Sequence, residues 1–155
     1  MKTALRSALV VTALMASGAA SAADELMNMP IDAALKSSTA ASRIDPNVKL
    51  SFGFNKLDGA QSPVFSKTVK RVRRPVNKAN GGEPTPTDAQ LCQSVFVEAV
   101  QELQQRASTA GSNGVMEIRS NWKDDETSSE TTYVCAKGMA YIGVALKGTL
   151  VKVGS

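Results

Sequence analysis

The stretch TDAQLCQSVFVEAVQELQQRASTAGSNG, residues 87–114, decides how the rest of the chain folds. Thr87-Asp88-Ala89-Gln90 fits a capping box, with Thr87 as N-cap and Gln90 three residues on. Pro84 and Pro86 stand just before it, and Asp88 places a negative charge where the helix dipole favours one. At 100° per residue, Leu91, Cys92, Val95, Phe96, Ala99, Val100, Leu103, Ala107 and Ala110 share one half of the wheel. Gln93, Ser94, Gln101, Gln104 and Gln105 share the other half, with Val97 as an apolar exception among them. A one-sided stripe of this kind predicts a helix lying on another layer, each large apolar side chain contributing about 1.5–3 kcal/mol on full burial. Gly111 supplies a left-handed C-terminal residue, and Gly114 a second turn before Val115.

Outward from that helix the pattern becomes strand-like. Val48, Leu50, Phe52 and Phe54 alternate, predicting a strand over 48–54. Leu57 to Pro63 is turn chemistry, so Val64–Val72 reads as a second strand antiparallel to the first. Residues 75–86, with three prolines and Gly81-Gly82, form an irregular loop. Val115–Trp122 is a third strand, Lys123–Glu130 a charged connection, and Thr131–Val153 a strand broken at Lys137-Gly138. Asp24–Asn28 reads as a polar lead, Ile31–Ser38 as a short helix after Pro30, and Ser37–Ser42 as a loop. The expected fold is α+β in ββαββ order: a curved antiparallel sheet of about four strands with one face covered by one long helix. Residues 23–47 form an N-terminal lead and 48–155 a single domain.

Residues 1–22 read as an export signal. Lys2 and Arg6 give a positive start, Ala8–Ala16 is an apolar run, and Ala20-Ser21-Ala22 places cleavage before Ala23. The run is too short for a retained membrane span, and the style of the signal points to a bacterial periplasm. Of the 18 basic residues, 16 then remain against 14 acidic ones, a balance that does not call for nucleic acid.

The chain has no histidine, which removes the commonest general base and transition-metal ligand. Its two cysteines, Cys92 on the helix stripe and Cys135 in a predicted strand, read as a disulfide in an oxidising compartment. A redox or metal-binding thiol pair is the rival reading, without C-x-x-C spacing to support it. Lys67, Lys70, Arg71, Arg73 and Arg74 make a basic strand. It reads either as a site for an anionic partner or as an edge strand whose charges prevent edge-to-edge pairing. Trp122 reads either as an exposed contact residue or as sheet-end packing. Candidate metal ligands are Met27 and Met29 for Cu(I), and Asp124, Asp125 and Glu126 for a hard cation; solvated loop and packing roles compete with both. The run Gly143 to Thr149 lacks the G-x-x-x-x-G-K-[ST] spacing of a phosphate loop and sits within a strand, which argues against ATPase activity.

Cys92, the helix end at Gln104, Arg106 and Ala107, Gly111 to Val115, Ile118-Arg119-Ser120, Cys135 and Val144 to Gly148 together resemble a family of small exported proteins from Gram-negative bacteria. Asp45 to Phe52 fit the same family. Some members carry the name excinuclease ATPase subunit, which the absent phosphate loop contradicts for this chain. More distantly, the turn after the helix is similar to that of the Rcs outer-membrane stress-sensor lipoprotein and of small proteins labelled heavy-metal-binding. Two alanines of that pattern are Ser112 and Gly114 here, and the sensor's lipid-bearing cysteine has no counterpart. The resemblance implies envelope location and an α+β fold, but fold does not carry function.

The resulting expectation is a non-catalytic, soluble periplasmic protein without a cofactor, binding an envelope protein or anionic glycolipid, with stress response as its setting. A periplasmic metal-binding protein using Met or carboxylate ligands is the alternative.

Overall fold

A computed structural model describes residues 23–75 and 84–154. The signal expected over residues 1–22 and the Gly81-Gly82 part of the predicted loop lie outside the described residues. The elements run β1 (Glu25–Pro30), α1 (Ile31–Leu35), α2 (Ser38–Arg43), β2 (Lys49–Phe52), β3 (Ala60–Arg73), α3 (Asp88–Thr109), β4 (Gly114–Trp122), β5 (Asp125–Thr127), β6 (Thr132–Lys137) and β7 (Tyr141–Val153).

The long helix forms as its caps dictate. Gln90 N donates to Thr87 Oγ1 at 3.2 Å, and Thr87 N donates back to Gln90 Oε1 at 2.8 Å. At the other end Gly111 takes φ +71°, Ser112 N reaches Ala107 O at 2.8 Å and Gly111 N reaches Ser108 O at 3.1 Å. Those two bonds close a Schellman motif and satisfy carbonyls that the helix leaves open. The chain then enters β4 directly.

The sheet has seven strands and is mixed, against the expected antiparallel sheet of about four. Its backbone is β7. One edge of β7 pairs with β3 from Tyr141 to Val153; the other pairs with β4 along Leu146–Val151 and with β6 at Ile142 and Gly143. β1 lies antiparallel outside β6, and β5 folds back on the end of β4. β2 runs parallel to β4, not antiparallel to β3. Residues 53–59 therefore carry the chain from one edge of the sheet to the other rather than closing a hairpin, and β3 begins at Ala60, inside the stretch expected as a turn. β2 and β3 both run antiparallel to β7, so the connection does not reverse the chain within the sheet, and local turn chemistry could not show this.

Two further expectations change. The polar lead is β1, held by a full ladder from Glu25–Lys137 to Pro30–Thr132, and Met27 and Met29 pack against the main core. The Ser37–Ser42 loop holds α2, started by Ala40 N donating to Ser37 Oγ at 3.2 Å. The break foreseen at Lys137-Gly138 is the turn between β6 and β7, where Gly138 N bonds Tyr141 O at 2.9 Å.

The main core lies between α3 and one face of the sheet. Val95, Phe96, Val100 and Leu103 meet Val115, Ile118, Ile142, Val144 and Leu146, all essentially buried. Phe96 stacks on Tyr133, with ring centroids 3.9 Å apart. Cys92 of α3 is bridged to Cys135 of β6, across 5.9 Å between Cα atoms. Closing a loop of 43 residues contributes about 4 kcal/mol on the chain-entropy account.

α3 is also covered on a second flank, by α1 and α2. Gln104 is buried there, with Nε2 donating to Asp45 O at 2.9 Å and Val48 O at 3.2 Å while Oε1 accepts from Asp45 N at 3.0 Å. Val97, seven residues earlier on the same stripe, is buried too. The apolar exception on the helical wheel thus belongs to a second contact surface.

Candidate functional site

β3 carries the basic run, and strand alternation sorts its charges onto two faces of the sheet. Lys70 and Arg74 lean toward α3 and are committed there. Lys70 Nζ pairs with Glu102, which also pairs with Arg106. Arg74 grips Asp88 through Nε at 3.1 Å and Nη2 at 3.2 Å, and Lys137 Nζ joins the same carboxylate at 3.2 Å. Burial pushes Asp88 and Glu102 upward in pKa, but the cations outweigh it. Hydrogen bonds from Lys137 and Arg74 to Asp88, and from Lys70, Thr68 and Arg106 to Glu102, hold both below the usual carboxylate range.

Lys67, Arg71 and Arg73 point to the opposite, open face. Lys67 Nζ meets Asp124 at 3.0 Å, an exposed pair of small energetic consequence. Arg71 places its guanidinium 5.2 Å from the centroid of the Trp122 ring. Among the described residues, neither Arg71 nor Arg73 forms an ion pair.

Trp122 organises this face. The indole lies on the backbone of Gly143, where an added Cβ would collide with Cη2 and come within 2.6 Å of Cζ3. Ala136 and Ala145, small residues beside it, complete a separate apolar cluster. The indole Nε1 donates to Asp24 Oδ2 at 3.1 Å, and Lys123 Nζ reaches the same oxygen at 2.8 Å. These two hydrogen bonds, Lys123 first, hold the Asp24 carboxyl below its ordinary value. Two hollows meet at Trp122 and Arg71. One of about 300 Å³ is bordered by Asp24, Met139, Tyr141 and Gly143. The other, of about 410 Å³, is bordered by Lys67, Val69, Lys123 and Asp124.

The structure thus brings Lys67, Arg71, Arg73 and Trp122 to one face and sends Lys70 and Arg74 to the other. Trp122 is buried, with the Arg71 guanidinium over its ring. Asp24, Lys123 and Tyr141 are neighbours that sequence reasoning missed. Asp24 lies 98 residues from Trp122, and no local pattern links them. Tyr141 stands opposite Arg73 in the ladder, half-exposed.

The metal candidates are dispersed. Met27 and Met29 are packed against the core. Asp124 accepts from Lys67 and, at 3.2 Å, from Asn121; Glu126 pairs with Arg119 and Lys147; Asp125 lies exposed on β5. Among the described residues, no three acidic or cysteine side chains gather to hold a metal ion. Also among them, no helix is long and apolar enough to cross a membrane.

What the open face offers is cationic and aromatic surface: two uncommitted guanidiniums, one fixed over an indole, with Val69 and Phe65 exposed alongside on β3. No family model, no curated protein and no solved structure matches the chain.

Proposed function

We propose that this is a non-catalytic binding protein of the bacterial envelope, taking an anionic partner on the open face of its sheet through Arg71 and Arg73. The observation that carries this reading is the division of the basic strand. Lys70 and Arg74 are consumed by Glu102 and Asp88, whereas Arg71, held over Trp122, and Arg73, exposed two residues on, form no ion pair among the described residues. Structural charges find partners; a guanidinium held over an aromatic ring with its donors free is poised for an outside anion. The Cys92–Cys135 bridge is consistent with an oxidising compartment such as the periplasm. Export, kinship with the small exported proteins of Gram-negative bacteria, and a stress setting belong to the same proposal.

The test is a titration with vesicles containing an anionic glycolipid and, separately, with an acidic polypeptide, read by the emission of the single tryptophan. Arg71→Ala with Arg73→Ala is expected to weaken binding at least tenfold, and added salt to weaken it further. Binding that ignores both salt and the double substitution removes the proposal.

A further inference from the structure

The edge of β3 is built to take one kind of strand. β3 has fourteen residues and, among the described residues, pairs only with β7. Its register against β7 is unbroken from Val64 to Arg73. Arg74 N donates toward β7, to Ala140 O at 2.8 Å, while Lys67 O accepts Arg106 Nη1 from the other side at 2.7 Å. Backbone groups alternate in direction along an antiparallel strand. Odd-numbered residues therefore aim N–H and C=O away from β7. Arg106 occupies that edge at Lys67, and among the described residues none covers Val69, Arg71 and Arg73, a three-step ladder for an incoming strand.

The side chains of those same three residues stand on the open face, as Val69, Arg71 and Arg73 in order. They disfavour symmetric pairing with a second copy of this chain. Antiparallel pairing of 69–73 with itself sets Arg71 against Arg71, with Arg73 of each copy diagonal to it, and like charges directly opposed destabilise a ladder. The same charges favour a strand carrying acids at those positions. We infer that the 69–73 edge of β3 binds an extended acidic peptide segment by strand addition, in the pattern acid-x-acid-x-aliphatic read antiparallel to β3. The acids lie beside Arg73 and Arg71 and the aliphatic residue beside Val69. This deepens the proposed function, resting on Arg71 and Arg73 as the anion-binding groups, and it joins the two readings of the basic run. The charges that keep copies apart are the ones that select the partner.

The experiment uses the oxidised protein and a peptide with the core Glu-Thr-Glu-Thr-Val. Two derivatives carry N-methyl groups, one on both Glu nitrogens and one on both Thr nitrogens. In the paired geometry the Glu nitrogens face β3 and the Thr nitrogens face solvent. The parent and the Thr-methylated peptide are expected to bind alike and to slow amide exchange at Val69, Arg71 and Arg73 at least tenfold. The Glu-methylated peptide is expected to bind at least thirtyfold more weakly. Val69→Pro, which deletes one outward N–H of an edge strand, is expected to lose the parent peptide while retaining anionic glycolipid vesicles. Equal binding of both methylated peptides overturns strand addition and leaves charge recognition standing. Vesicle binding by a protein that takes up none of the three peptides also overturns it and makes the partner a lipid. Binding of neither peptide nor vesicles overturns the proposed function as well.

Discussion

At the scale of single residues, Gly143 matters for what its missing side chain permits. It pairs with Arg71 on one side and Ala136 on the other, and the Trp122 indole fills the space above it. The missing Cβ thus leaves room for the edge of an aromatic ring, and Arg71 lies over that ring. Gly143→Ala cannot keep this arrangement, because the new methyl occupies the position of the indole edge. The substitution is expected to cost about 1–3 kcal/mol, as overpacking does. It is also expected to redden the emission of Trp122 by freeing the ring to water, and to weaken anion binding without changing the net charge. Unchanged emission and an unchanged urea midpoint would mean that the indole does not rest on Gly143. Sequence inspection saw Trp122 as either a contact or a packing residue and could not choose. The choice depends on a glycine on a different strand, so it is a property of the assembled sheet.

At the scale of elements, α3 shows where local reasoning succeeds and where it stops. Its start and its end follow from spacings of three and four residues and are present as expected; the stripe holds from Leu91 to Ala107, while Ala110, expected on it, is exposed. The bridge from Cys92 was legible for the same reason, since the stripe turns it toward the sheet. The second flank was not legible, because glutamine on a helix ordinarily faces water. Gln104 is buried through a constraint from outside the helix: the Asp45–Val48 turn brings two carbonyls and an N–H to one amide, which satisfies them together. The segment 31–48 is thereby fastened to α3 by a polar clamp, aided by the ion pair between Arg43 and Glu98. Gln104→Ala leaves buried backbone groups without partners and is expected to destabilise by about 1–3 kcal/mol. Its effect should be local as well as global: amides in α2 and the 45–48 turn should exchange faster than those of β7. Uniform loss of protection across the molecule would show that the clamp has no separate role.

At the scale of the whole molecule, strand order is what the sequence concealed. Alternation marks the strand expected over 48–54, but alternation says which face a residue takes, not which strand lies beside it. β2 finds β4 from sixty-odd residues away, and β1 finds β6 from farther still; both are long-range closures that a turn motif cannot announce. Charge pairs fasten the same distant pieces. Asp88 links the start of α3 to the ends of β3 and β6 through Arg74 and Lys137, Glu102 links α3 to Lys70 of β3, and Asp24 ties the approach to β1 to the end of β4. All three carboxyls are held below their ordinary values in the folded protein. A group depressed in this way stabilises the fold fully above its unfolded pKa, and the contribution is lost as pH falls through the folded value. Stability should therefore be flat from neutral pH down to about pH 5, then fall as pH drops below the ordinary carboxylate range near pH 4. Asp88→Asn removes the group shared by two cations, so it should lower stability at pH 7 and flatten the fall at acid pH. The two curves should converge only once the pH has fallen below the lowered folded value of Asp88, where the wild-type carboxylate is protonated as well. Urea midpoints for both proteins across that range decide the matter. A parallel offset at every pH would place the effect of Asp88 in packing rather than in its charge, and the electrostatic fastening of α3 to the sheet would then have to be abandoned.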